Sequence, residues 1–131
     1  NEGYPVNVMR MEKWGVPDYY ELVLVASDEM VTNNKDLIER MIRAISKGYN
    51  DAVSDPKAGI DNLIKSTNGE IDQAIEYPGA ELLAPLWVDN TGKFGSQTEE
   101  KWSVFSQWLF ETGQITTVPE TNSLFTNEFV K

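Results

Sequence analysis

Three neighbouring side chains, Tyr19, Tyr20 and Glu21, are the residues of this sequence best suited to contact a small ligand. They lie between a turn rich in glycine and proline and an apolar run that predicts a β-strand, and α/β folds place ligands at strand ends. A carboxylate among aromatic rings can accept hydrogen bonds from an amino or ammonium group while the rings stack on the ligand. In the alternative interpretation the tyrosines only cover the strand end and Glu21 is solvated, and the residue types alone do not decide between the two.

Covalent and metal chemistry finds little support in the sequence. No histidine or cysteine is present, so neither a Ser-His nor a Cys-His site can be built from this chain alone. The adjacent acids Glu99 and Glu100 match a helix start, where acidic residues usually complement the helix dipole. The loop that begins at Asp89 has the length of a calcium loop, but Lys93 and Phe94 stand where a ligand and a glycine are required. We therefore predict no catalytic residue, no metal site and no cofactor.

The charge and length of the chain exclude some classes of protein. Its 131 residues include 11 basic and 21 acidic residues, for a net charge of -10. Such a chain repels nucleic acid and anionic membrane surfaces, so we predict no nucleic-acid partner. No apolar run approaches the roughly 20 residues of a membrane span, and one domain is expected at this length. Because the first residue is Asn1 rather than methionine, we expect that an upstream part, with a signal or an anchor, is missing.

Two segments predict β-strands. Residues 4–11 show a mixed alternation of apolar and polar side chains. Residues 22–26 are apolar without alternation, which is typical of a strand buried on both faces of a parallel or mixed sheet. Between them, Pro17 fixes its own φ and breaks the first strand from the second. A single buried strand is not a sheet, so the sequence leaves the neighbours of this strand unaccounted for.

A long amphipathic helix is expected next. Residues 27–32 predict a polar connection, and Asn33 or Asn34 is expected to cap a helix with one continuous apolar stripe. Gly48 lies within that helix, and because glycine costs about 1 kcal/mol relative to alanine there, we expect it to let another backbone approach. The stripe comprises Leu37, Ile38, Met41, Ile42, Ile45, Tyr49, Ala52 and Val53.

Proline and capping residues mark further helix boundaries. Asp55 followed by Pro56 predicts a second helix start, with Asp55 as the cap. Farther along, Pro78 and Gly79 predict either two short helices or one kinked helix.

The last long helix carries several aromatic residues. Ser96 and Glu99 have capping-box spacing and open this helix, and Gly113 is positioned to end it. A short helix is expected after residue 120. Aromatic side chains at helical spacing are interpreted as packing rather than as a cofactor site. They are Trp102, Phe105 and Trp108.

An ordered set of motifs runs through the chain. The first reads Gly15-Val16-Pro17-Asp18-Tyr19-Tyr20-Glu21-Leu22-Val23-Leu24-Val25-Ala26-Ser27. The later ones are Arg43-Ala44-Ile45-Ser46-Lys47-Gly48-Tyr49 with Asp55-Pro56, and Phe94-Gly95-Ser96-Gln97 with Trp102, Phe105, Trp108-Leu109 and Gly113-Gln114-Ile115. In this order they resemble the return strand, the helix pair and the closing helix of the solute-binding proteins of ABC importers. The resemblance is to the members similar to binders of thiamine pyrimidine precursors and of nitrate, sulfonates and taurine.

The resemblance implies an α/β, helix-dominated fold, namely the C-terminal portion of a two-domain fold like that of type II periplasmic binding proteins. In such proteins two α/β lobes are joined by crossing strands. Residues 1–18 would be the tail of the second lobe and the hinge. Residues 19–131 would be the C-terminal part of the first lobe, with the crossing strand and the helices. The missing neighbours of the strand would then belong to an N-terminal half that this chain lacks.

The resemblance also implies a non-enzymatic solute-binding component of an ABC importer. Tyr19, Tyr20 and Glu21 would face the ligand cleft, with Trp14 as a weaker candidate. A thiamine pyrimidine precursor is the favoured ligand, because stacking rings and a carboxylate suit an aminopyrimidine. A sulfonate or nitrate binder, a pyrimidine-precursor synthase of the same fold that uses pyridoxal phosphate, and a helical interaction module without a ligand are the alternatives.

The partners that the resemblance implies are the small-molecule ligand, ABC permease subunits, and either the missing N-terminal half or a strand-exchanged copy of the chain. The implied location is extracytoplasmic, either periplasmic or lipid-anchored at the cell surface.

Overall fold

Helices form the regular secondary structure of this protein. The computed structural model describes residues 3–131, and within that range no β-strand is present, while one isolated antiparallel bridge joins Val88 and Phe94. No helix in this range is long and apolar enough to cross a membrane. The α-helices are α1 (Asp28–Asn33), α2 (Lys35–Ser54), α3 (Pro56–Ser66), α4 (Gln73–Leu83) and α5 (Glu99–Glu111), and 3₁₀ turns lie at Met11–Trp14, Ala84–Leu86 and Thr121–Ser123.

The chain divides into two compact units. One contains the residues up to Val25 together with residues 97–127, and so includes α5. The other contains residues 26–96 and 128–131, and so includes α1 to α4. The lobe boundary predicted at residue 18 stays a prediction, and residues 1 and 2 of its first segment lie outside the described residues.

The two strand predictions are wrong. Residues 4–11 and 22–26 form no strand, and their large apolar side chains are exposed. Leu22 is 91% exposed and Val25 is 89% exposed, so the apolar run of residues 22–26, which predicted a strand buried on both faces, is exposed. A strand needs a neighbour that bonds its N–H and C=O groups, and no other segment between residues 3 and 131 supplies one. The helix-dominated part of the fold prediction is confirmed, whereas the β part has no counterpart in the described residues.

A side-chain cap explains an unexpected helix before α2. Ser27 accepts a hydrogen bond from the backbone N–H of Met30 at 3.2 Å, and α1 therefore occupies the residues that were predicted to be a polar connection. The α2 helix follows directly, beginning at Lys35 after Asn34, whose side chain makes no capping hydrogen bond. The start of α2 is thus confirmed, but its capping interaction is not the predicted one.

The starts and breaks marked by proline differ in outcome. Asp55 accepts a hydrogen bond from the N–H of Ala58 at 2.9 Å and Pro56 opens α3, as predicted. Pro78 instead lies inside α4, which continues as one helix from Gln73 to Leu83. The predicted alternative of two short helices around Pro78 is therefore wrong.

Few side chains are buried in the unit that contains α1 to α4. Ile60, Ala80, Ala84 and Phe129 are 7%, 4%, 4% and 7% exposed. The α2 and α3 helices approach closely at Gly59, where a Cβ would lie 3.1 Å from the Cβ of Ala52. Because a chain of this length normally buries about two thirds of its unfolded surface, these few buried side chains leave much apolar surface uncovered.

The apolar stripe of α2 forms as predicted but is only partly covered. No described residue of α2 is buried, and Leu37 and Met41 are about half exposed. A Cβ at Gly48 would meet no atom within 4 Å, so the prediction that another backbone approaches there is wrong for this chain. Gly48 instead lines an apolar groove of about 570 Å³ between α2, α3 and α4.

One carboxylate closes the loop that follows Trp87. Asp89 accepts hydrogen bonds from the hydroxyls of Ser96 and Thr91 and from the backbone N–H groups of Thr91 and Lys93. The Ser96 and Thr91 hydroxyls and the Lys93 N–H, in that order of strength, hold the pKa of the Asp89 carboxyl well below its usual value. Asp89, the first acidic residue of the loop that has the length of a calcium loop, therefore stabilises the loop itself.

Replacing Gly48 with alanine is expected to stabilise the chain. Alanine is favoured in a helix interior by about 1 kcal/mol, and the new Cβ has open space around it. Gly59→Ala is the matched control, because the same helix preference is opposed there by the 3.1 Å contact with Ala52. Urea denaturation followed by circular dichroism should give a higher midpoint for Gly48→Ala than for Gly59→Ala. The reverse order would show that the space at Gly48 is occupied.

Candidate functional site

The α5 helix is capped by Thr98 rather than by the predicted Ser96. The Thr98 hydroxyl accepts a hydrogen bond from the backbone N–H of Lys101 at 3.3 Å, whereas Ser96 donates its hydroxyl hydrogen bond to Asp89. The helix ends just before Gly113, whose φ of 73° is left-handed, so the predicted role of this glycine is confirmed.

Tyr20 is fixed to the N-terminus of α5. Its hydroxyl accepts a hydrogen bond from the backbone N–H of Thr98 at 2.8 Å, and its ring centroid lies 5.9 Å from that of Trp102. The Lys101 ammonium stands over the Tyr20 ring, 4.7 Å from the centroid, and also forms a salt bridge with Asp18 at 2.7 Å. One lysine therefore holds two residues of the segment 18–20.

Tyr19 packs against the side of the same helix. Its ring is stacked on Phe105 with a centroid distance of 4.6 Å and an interplanar angle of 9°. Phe105 in turn lies 5.8 Å from Trp108 at an angle of 14°, so three nearly parallel rings follow one another. The prediction that the aromatic residues of α5 serve packing is confirmed for these contacts.

A second set of polar contacts fixes the approach to α5. Gln97 and Asn127 form a reciprocal pair, with the Gln97 N–H donating to Asn127 Oδ1 at 3.0 Å and Asn127 Nδ2 donating to the Gln97 carbonyl at 2.7 Å. The Gln97 side chain also accepts a hydrogen bond from the indole N–H of Trp102 at 2.7 Å. Phe125 covers the other side of that indole, with ring centroids 6.4 Å apart.

The predicted ligand contacts lie in three different settings. Tyr19 and Tyr20 are half-buried against α5, and the Tyr20 hydroxyl is engaged by Thr98. Glu21 follows them in the chain and is exposed. Trp14, at the end of a 3₁₀ turn, is 77% exposed and makes no ring contact with another described residue. The structure thus brings the two tyrosines together with α5 and leaves Glu21 and Trp14 open.

Two residues that hold this segment were not identified from the sequence. Asp18 and Lys101 are far apart in the chain, and a lysine on an exposed helix face is ordinarily solvated. Nothing in the local sequence indicates which face of α5 meets residues 18–20. Only the spacing of Thr98, Lys101, Trp102 and Phe105, which places them on one side of a helix, could have suggested it.

The chemistry available at this site is stacking and hydrogen bonding. Tyr19 offers an aromatic ring, and the Glu21 carboxylate can accept hydrogen bonds from a ligand. Between residues 3 and 131, no group of three or more acidic residues is arranged to hold a metal ion. The arrangement suits reversible binding of a flat molecule that carries hydrogen-bond donors.

Removing the hydroxyl of Tyr20 is expected to loosen the N-terminus of α5. Tyr20→Phe leaves the Thr98 N–H without its acceptor, which should cost at most about 1 kcal/mol because water can replace part of the interaction. Tyr4→Phe is the control, since Tyr4 is 78% exposed. Hydrogen exchange of residues 98–102 should accelerate in Tyr20→Phe and not in Tyr4→Phe. Equal exchange in both variants would contradict the role given to Tyr20.

Known proteins resemble this chain in sequence. The family described as NMT1/THI5 like matches residues 1–59. The formylaminopyrimidine-binding protein of Halalkalibacterium halodurans is 28% identical over 112 residues, which cover 83% of this chain and 34% of that protein. The chain therefore spans about a third of the length of this curated relative. No solved structure matches the chain.

These comparisons confirm the resemblance that the motifs indicated, because the family match is described as NMT1/THI5 like and the relative is named for binding a formylaminopyrimidine. The relative is named for binding and not for a reaction, in agreement with the prediction that the chain is not an enzyme.

Proposed function

We propose that this chain is the C-terminal part of a solute-binding protein that holds a thiamine pyrimidine precursor, of the formylaminopyrimidine kind, in a cleft between two lobes. The observation that carries the proposal is the match of 83% of the chain to a formylaminopyrimidine-binding protein. The protein is a binding component without catalytic activity, and the ligand is trapped by closure of the two lobes about a hinge.

The exposed apolar segment supports the view that the chain works within a longer protein. Residues 22–25 have the composition of a buried strand and yet are exposed along their length. The curated relative is about three times as long as the part that this chain matches. In the proposal, the additional length supplies the sheet in which residues 22–25 become a strand, and the opposite wall of the ligand cleft.

Each candidate contact has a role that follows from its setting. Glu21 is exposed beside two anchored tyrosines, and its carboxylate accepts hydrogen bonds from the amino group of the pyrimidine. Tyr19 provides a ring for stacking, and Trp14 a second one from the preceding turn. Tyr20 acts mainly by position, because its hydroxyl and ring are held by Thr98 and Lys101.

Transport is the use proposed for this binding. The loaded protein delivers its ligand to the permease subunits of an ABC importer, which requires an extracytoplasmic location, periplasmic or lipid-anchored at the cell surface. The motif order of the whole chain supports this part of the proposal.

Neutralising Glu21 is expected to weaken ligand binding. A hydrogen bond to a charged group contributes about 1.5–3 kcal/mol, so Glu21→Gln in the full-length protein should bind formylaminopyrimidine roughly 10- to 100-fold more weakly. Glu70→Gln removes a carboxylate from an exposed loop in the other unit and should bind like the unmodified protein. Isothermal titration calorimetry measures both. Unchanged affinity in Glu21→Gln would remove Glu21 from the site, and absence of binding in the unmodified protein would contradict the proposed ligand.

By itself, the chain is expected to self-associate. The exposed apolar segment of residues 22–25 offers unpaired backbone groups to a second copy, and the stripe of α2 is partly uncovered. Sedimentation velocity over a range of concentrations should show dimers or larger species. Val25→Lys should reduce association, whereas Val118→Lys, at a position 43% exposed outside the segment, should not. A stable monomer at every concentration would contradict the view that a partner strand covers residues 22–25.

A further inference from the structure

A cleft between α2 and the end of the chain has the size of a small-molecule site. Its volume is about 340 Å³, within the range of roughly 300–1,000 Å³ that is usual for ligand pockets. It lies entirely within the unit that contains α1 to α4 and shares no residue with the segment 14–21. The residues that matter for its chemistry are Arg43, Ser46, Lys47 and Asn50 on the α2 side, and Phe94 and Phe129 opposite.

The α2 side of this cleft is cationic. Arg43 and Lys47 are one helical turn apart on the same face, and neither forms a salt bridge with any acidic residue among residues 3–131. Among residues 3–131, Glu39 is the only acidic side chain that lines the cleft, and it is paired with Lys131 at an N–O distance of 3.2 Å. Two like charges at this spacing repel each other. In a chain with 21 acidic residues and a net charge of -10, this local excess of positive charge is a specific feature.

Donors next to the two cations extend the polar edge. Ser46 and Asn50 lie on the same helix face, and their side chains are 3.5 Å apart. A hydroxyl and an amide beside a guanidinium and an ammonium are the groups that bind the oxygen atoms of a phosphate or a carboxylate.

The opposite wall of the cleft is aromatic and fixed in place. Phe129 is only 7% exposed, and Phe94 is stacked on Tyr49 with ring centroids 4.2 Å apart at an angle of 19°. Tyr49 is itself held edge-on by Trp87 at 5.6 Å. Rings that are already packed provide a flat apolar surface without a cost of ordering when a ligand binds.

We propose that this cleft binds a small organic anion with a flat aromatic part. The anionic group, a phosphate or a carboxylate, lies at Arg43 and Lys47 and accepts hydrogen bonds from Ser46 and Asn50. The aromatic part lies against Phe94 and Phe129. This site is independent of the pyrimidine site proposed above, because it requires neither Glu21 nor a second lobe.

Phenyl phosphate is the probe that tests the proposal, by calorimetry on this chain and again on the full-length protein. The unmodified protein should bind phenyl phosphate at least tenfold more tightly than inorganic phosphate, because only phenyl phosphate uses the aromatic wall. The double variant Arg43→Gln with Lys47→Gln should weaken binding of phenyl phosphate at least tenfold. Arg40→Gln is the control, because Arg40 lies on the same helix, is paired with Asp36 at 3.2 Å and does not line the cleft.

Hydrogen–deuterium exchange provides a test that needs no variant. Saturation with phenyl phosphate should slow exchange in residues 43–50 and 129–131 and leave residues 98–111 unchanged. Three results would overturn the proposal: no binding of phenyl phosphate, equal affinity for inorganic and phenyl phosphate, or the same loss of affinity in Arg40→Gln as in the double variant. If the full-length protein binds no pyrimidine, these three results still test this cleft, because it shares no residue with the proposed pyrimidine site.

Discussion

Backbone hydrogen bonding is the constraint on which most of this structure depends. Residues 22–25 present N–H and C=O groups that a neighbouring strand would pair, and the described part of the chain contains no such strand. Helices pair most of their own backbone groups, so α1 to α5 need no neighbouring strand. The described residues therefore combine five α-helices with an uncovered apolar segment.

The residues just before that segment are positioned by side chains and not by a sheet. The Tyr20 hydroxyl accepts a hydrogen bond from the backbone N–H of Thr98, the residue that caps α5. Lys101 forms a salt bridge with Asp18 and stands over the Tyr20 ring, and Tyr19 stacks on Phe105. Exposed ion pairs contribute little individually, but here hydrogen bonding, ring stacking and charge act on three consecutive residues. Residues 18–20 are consequently held in place before a ligand binds, which lowers the entropic cost of forming the proposed site.

The two units of the chain offer different chemistry to small molecules. The unit with α5 presents an exposed carboxylate beside anchored aromatic rings, which suits a neutral or cationic heterocycle with amino groups. The unit with α1 to α4 presents Arg43 and Lys47 opposite Phe94 and Phe129, which suits an aromatic anion. Both proposed sites offer packed aromatic rings for stacking. They differ in the sign of the charged side chains beside those rings.

The sequence by itself determined several helix boundaries and indicated a family resemblance. Periodicity located α2, the Asp55-Pro56 pair located the start of α3, and Gly113 located the end of α5, because each of these signals acts through a few neighbouring residues. The motif order indicated a family resemblance that the comparisons confirm. The tertiary structure alone decided which groups meet. Lys101 pairs with Asp18, and Tyr19 stacks on Phe105. Arg43 and Lys47 line one cleft with Phe94 and Phe129, and Gly48 has open space around it. Such contacts depend on how distant segments pack, which local sequence does not indicate. In the same way, the apolar pattern of residues 22–26 predicts that they are buried but not which segment buries them.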